Sequence, residues 1–75
     1  MLTNMIEVKG LKFTAVFREE AEDGYSVQVL ELSGCLSQGE NQSEALANIR
    51  EAIEGYLEAF PEEIDQLKHQ KKTLP

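Results

Sequence analysis

Apolar and polar residues alternate strictly over residues 11–18, LKFTAVFR. Leu11, Phe13, Ala15 and Phe17 fall on one side; Lys12, Thr14, Val16 and Arg18 fall on the other. A period of two is that of a half-buried strand. The following EEAEDG closes on Asp23-Gly24, a turn signal. Residues 25–32, YSVQVLEL, return as a second strand with Tyr25, Val27 and Val29 on one face. Strand, Asp-Gly turn and strand predict an antiparallel hairpin. SGCLSQG then supplies a short turn and a third strand over residues 35–38.

The pattern changes period after Gly39. Asn41 suits a helix N-cap, and Glu44 stands at the capping-box spacing. Leu46, Ile49, Ile53, Tyr56, Leu57 and Phe60 project onto an arc of about 100° at helical pitch. Ala45, Ala52 and Ala59 flank that arc, small enough for a sheet to approach closely. Glu44, Glu51, Glu54 and Glu58 cluster opposite. Pro61 stops the helix, because it lacks an N–H and biases Phe60 away from helical geometry. EEIDQLKHQ suggests a second short helical piece. The order β-β-β-α predicts an α+β fold, a three-stranded antiparallel sheet with one amphipathic helix packed on one face.

Size narrows the picture further. A chain of 75 residues makes one small domain that buries only about 60% of its unfolded surface, so its stability is marginal. Small folds compensate with disulfides, metals or partners. One cysteine and one histidine (Cys35, His69) provide neither an internal disulfide nor a four-ligand zinc site. A homo-oligomer or a complex is therefore expected. No run reaches the roughly 20 apolar residues of a membrane span. MLTNMIEVKG lacks the basic start and apolar core of a signal peptide, and a cytoplasmic protein is expected.

The net charge of −7 is uneven. Residues 1–67 hold all 14 acids and four cations (Lys9, Lys12, Arg18, Arg50), a balance of −10; residues 68–75 hold Lys68, Lys71 and Lys72. An acidic body repels phosphate backbones and attracts basic surfaces, which argues against direct nucleic-acid binding. Three tail lysines would add only a weak, salt-sensitive contact.

None of the remaining constellations specifies an enzyme. A nucleophilic Cys35 would need a base or cation nearby, and the one histidine lies toward the terminus; a strand cysteine behaves as a small hydrophobe. Gly34 and Gly39 lack the spacing of a P-loop or a dinucleotide site and read as turn glycines. Glu19, Glu20, Glu22 and Asp23 on the hairpin turn, and Glu44, Glu51, Glu54 and Glu58 on the helix, do not match a calcium loop. They form either a solvated acidic face or a docking surface for a basic protein. No catalytic, metal or cofactor residue is expected.

YSVQVLELSGCLSQGENQSEALANIREAIEGYLE, residues 25–58, resembles the HicB-like antitoxins. Glu31-Leu32, Gly34-Cys35, Ser37, Gly39-Glu40, Glu44-Ala45 and Glu51-Ala52-Ile53 match that family's motif in order and spacing, and the likeness extends over residues 11–60. Leu30 and Ser33 stand where the family has prolines, and Asn41 replaces a cap threonine. The resemblance gives Glu31, Leu32, Gly34, Cys35, Gly39, Asn41 and Ala45 structural roles. It implies a reduced RNase H-like domain; the expected division is residues 1–60 as that domain and 61–75 as a short extension, without the separate DNA-binding domain that family members often carry. An active RNase H carries a metal-binding carboxylate in its first strand, and LKFTAVFR has none, so no nuclease activity is implied. The implied function is capture of a small basic HicA-like, mRNA-cleaving toxin, the acidic body mimicking the charge of RNA. An orphan domain that self-associates is the alternative.

Overall fold

The computed structural model describes residues 2–62 and Ile64. Four strands, β1 (Leu2–Val8), β2 (Leu11–Glu19), β3 (Tyr25–Val29) and β4 (Leu36–Gly39), precede one helix, α1 (Gln42–Ala59). The sheet is antiparallel throughout, in the order β1-β2-β3-β4. The α+β class agrees with expectation; the sheet has four strands rather than three. The unexpected strand is β1, which pairs along its whole length with β2, from Leu2↔Phe17 to Val8↔Leu11.

Two features hide β1 in the sequence. Only Ile6 and Val8 of its seven residues are buried, and Leu2, the other apolar residue on their face, is 48% exposed. Its turn is Lys9-Gly10, with both residues at positive φ (54° and 78°). That is the geometry of a two-residue hairpin loop, normally signalled by Asn-Gly or Asp-Gly. The Asp23-Gly24 turn is also left-handed (66° and 92°).

One face of the sheet is covered by α1. Phe13, Ala15, Phe17, Val27 and Val29 are buried with Ile6, Val8 and Leu11 beneath Ala45, Ile49, Ile53 and Leu57 of the helix. Leu32 and Cys35, from the loop between β3 and β4, join the same core. The apolar arc is narrower than expected. Leu46 and Tyr56 are half-buried, and Phe60 is 50% exposed, stacked at a tilt 5.0 Å from Tyr56. Of the three helix alanines, Ala45 is buried, Ala52 is half-buried and Ala59 is exposed. Only Ala45 therefore sits at a close approach. Past Pro61, helical backbone resumes at Glu62 and Ile64, and Ile64 packs against the core. The rest of the expected second helix and the tail lysines lie outside the described residues.

Candidate functional site: an acidic mouth

The register of β3 and β4 builds the site. Tyr25 pairs with Gly39, which sets the β2–β3 turn beside the start of α1. Glu19, Glu20, Glu22 and Asp23 from the turn then share one open concavity with Glu40 and Glu44; Tyr25, Gln38 and Asn48 complete its wall. Among the described residues, six carboxylates line it and no cation does. Although they ring one concavity, no three metal-binding side chains among the described residues are placed to hold an ion.

Short hydrogen bonds fix the rim. Ser26 Oγ donates to Glu20 Oε2 at 2.7 Å, and the Glu20 N–H donates to the Gly24 carbonyl at 3.0 Å. Asn41 Oδ1 caps the helix by accepting from the Glu44 N–H at 2.8 Å. Glu44 Oε1 reaches back to the Glu40 N–H at 2.9 Å, one residue beyond the usual capping-box donor, the N-cap N–H. Asn48 Nδ2 donates to the Gln38 carbonyl at 2.7 Å.

The structure thus joins the four hairpin acids and Glu44, and leaves Glu51, Glu54 and Glu58 on the exposed face of α1 outside the mouth. Sequence reasoning missed Glu40 as a rim residue. Its only signal is its place one residue before the cap, directly after the glycine that pairs with Tyr25.

Gly39 lies so close to α1 that an added Cβ would come 2.4 Å from the Ala45 nitrogen. Gly34 takes a positive φ of 80° in the loop before β4. Leu32 is buried, and the Cys35 N–H donates to its carbonyl at 3.2 Å. Cys35 is 4% exposed, and desolvation by burial pushes its thiol pKa up, away from nucleophile chemistry. Glu31 turns its carboxylate onto Thr14 of β2.

The first strand is β1 rather than residues 11–18, which alters one inference. β1 does contain a carboxylate, Glu7, exposed and paired across the sheet with Lys12. The expectation that the first strand lacks an acid is therefore corrected: Glu7 stands within it.

The model of the family described as "HicB_like antitoxin of bacterial toxin-antitoxin system" matches residues 13–74. The chain belongs to this family. The match takes in most of β2 and all of β3, β4 and α1, and so both walls of the mouth. The chain is also 40% identical over 50 residues to a UPF0150 protein of Thermoplasma acidophilum, covering 67% of this chain and 72% of that one. It is 56% identical over 39 residues to a UPF0150 protein of Helicobacter pylori, covering 52% and 54%. With an uncharacterised 14.9 kDa protein of Haemophilus phage HP1 the identity is 41% over 49 residues, covering 65% and 37%. The chain thus spans about half of the Helicobacter relative and little more than a third of the phage one. No solved structure matches. Among the described residues, no helix is long and apolar enough to cross a membrane.

Proposed function

We propose that this HicB-like chain is the antitoxin of a type II toxin–antitoxin pair and sequesters a small basic HicA-like, mRNA-cleaving toxin by protein–protein contact. The observation that carries this reading is the mouth. Six carboxylates from three separate chain segments face one concavity in a chain whose family is that of antitoxins. A basic ribonuclease binds phosphates, so a carboxylate-lined recess offers it a competing surface of the same sign. Complementary charge speeds encounter, which suits a protein that must reach its target before mRNA does. In this reading the chain acts in the cytoplasm without cofactor or metal, performs no catalysis, and carries a reduced RNase H-like fold. Direct nucleic-acid binding by the acidic body is disfavoured.

The test is co-purification. Tagged protein is recovered from its native lysate at moderate salt, and the bound fraction is identified by mass spectrometry. A small basic protein that arrests growth when expressed alone, and is rescued by this chain, supports the reading. A bait that returns alone and self-associates favours the orphan domain instead.

A further inference from the structure

The two edges of the sheet are treated differently, and the alternation of backbone groups shows how. The Thr14 carbonyl accepts from the Leu30 N–H, so Thr14 and its even-numbered neighbours in β2 point toward β3. Phe13, Ala15 and Phe17 therefore point toward β1, and bond Ile6, Asn4 and Leu2 in the register observed. That leaves the N–H and C=O groups of Thr3, Met5 and Glu7 facing outward. The same reasoning turns Leu36 and Gln38 outward from β4, since the Val29 N–H donates to the Cys35 carbonyl.

Helix α1 reaches both edges. Arg50 donates from its guanidinium to the outward Glu7 carbonyl at 3.0 Å, and Asn48 donates to the outward Gln38 carbonyl at 2.7 Å. Each bond removes an acceptor that another strand would need. Among the described residues, β4 is left with one fully open residue, Leu36, on a four-residue strand next to the acidic mouth. On the same count β1 keeps two consecutive open positions, Thr3 and Met5, within LTNMI, residues 2–6, which carry no charge in a chain of net −7.

We propose that two copies of this chain pair antiparallel through the open half of β1 and form one continuous eight-stranded sheet. The register follows from the free groups. Thr3 of each copy pairs with Met5 of the other, which uses both backbone groups of Thr3 and of Met5 on each strand and sets Asn4 opposite Asn4 on the two-fold axis. Glu7 stays outside the pairing, its carbonyl still held by Arg50. Leu2, 48% exposed, comes opposite Ile6 of the second copy, and Met5, 63% exposed, lies beside the second copy's Thr3. Pairing through β4 would instead bring two acidic mouths together. The second copy fits because this edge is both neutral and self-complementary, and the dimer keeps the two mouths at opposite ends of the sheet.

Sedimentation equilibrium from micromolar to millimolar chain, with oxidative cross-linking, tests this. Wild-type protein is expected to approach twice the monomer mass. Asn4→Cys in a Cys35→Ala background is expected to form a disulfide dimer on mild oxidation, because facing residues at a non-hydrogen-bonded position lie about 4.5 Å apart at Cα. Glu7→Cys in that background is expected to stay monomeric on a reducing-agent-free gel. Met5→Pro removes an outward N–H, a change edge strands tolerate, together with the weak Thr14 Oγ1 to Met5 Sδ contact at 3.7 Å, and should halve the sedimenting mass with an unchanged circular dichroism spectrum. A wild-type monomer throughout the range overturns the proposal, as does a folded Met5→Pro variant that remains a dimer. If that variant does not fold, cross-linking at Glu7→Cys but not at Asn4→Cys overturns it instead.

Discussion

The carboxylate of Glu31 grips Thr14 at two points, accepting its backbone N–H and its hydroxyl at 2.7 Å each. Regular pairing between β2 and β3 ends at Ala15↔Val29. One further bond follows, from the Leu30 N–H to the Thr14 carbonyl, and then the Glu31 side chain takes the place of the next strand carbonyl. This lets the chain leave the sheet and drop Leu32 and Cys35 into the core without stranding the Thr14 N–H. Glu31→Ala is expected to cost about 1–3 kcal/mol, the range for losing charge-assisted bonds. Leu30→Ala next to it, at a side chain 61% exposed, should stay within about 0.5 kcal/mol. Urea denaturation of the two variants checks both values.

Gly39 and Ala45 set the distance between β4 and α1. A methyl at Gly39 would press on the Ala45 nitrogen at 2.4 Å and its Cα at 2.8 Å, both backbone atoms that no rotamer change can move. Gly39→Ala should therefore destabilise by about 1–3 kcal/mol and open the mouth, since Gly39 lines it. Gly55 is the contrasting case, exposed in mid-helix with nothing within 4 Å of an added Cβ. Gly55→Ala should stabilise by up to about 1 kcal/mol. Thermal melts that rank the variants Gly55→Ala, wild type, Gly39→Ala would bear this out, and a neutral Gly39→Ala would mean that the helix shifts freely on the sheet.

These two contacts show what the sequence could and could not carry. Alternation in residues 11–18 and the apolar arc of α1 are local patterns, and both survive intact as the core of the fold. β1 was illegible because its outer half faces solvent on both sides, and its turn places Lys9 where Asn or Asp normally announces left-handed backbone. Glu31 and Gly39 are long-range matters. Nothing between residues 14 and 31 states that a carboxylate will replace a carbonyl, and a glycine in a turn-like stretch reads as a turn until the helix lies on it. The mouth was half legible. The hairpin acids form a run in the sequence, but their meeting with Glu40 and Glu44 depends on the Tyr25↔Gly39 register.

The division of the acids yields a discriminating experiment on the proposed toxin contact. Glu20→Lys combined with Glu40→Lys reverses two carboxylates of the mouth; Glu54→Lys combined with Glu58→Lys makes the same charge change on the outer face of α1. Net charge is identical in the two double variants, so a general electrostatic effect would move both equally. The mouth pair should slow toxin association by roughly tenfold or more at low salt, and the difference should shrink as salt is raised. The helix pair should change it little. Stopped-flow association at several salt concentrations measures both, and equal slowing would place the contact away from the mouth.

Cys35 offers a test through pH. Its thiol is held above the ordinary pKa by burial, because the thiolate would lose hydration that the core does not replace. The unfolded chain gives up this proton at about pH 8.5 while the folded chain still holds it. Over that alkaline window the folded state binds more protons, so stability falls as pH rises. Cys35→Ala removes this contribution. The gap in unfolding free energy between wild type and Cys35→Ala should therefore shift against the wild type from about pH 8.5 upward and stay constant below it. The same burial should keep a thiol-specific reagent slow at neutral pH until urea unfolds the chain. Rapid labelling of the folded protein would show that the loop carrying Leu32 and Cys35 opens, and would weaken the role given to Glu31 in closing it.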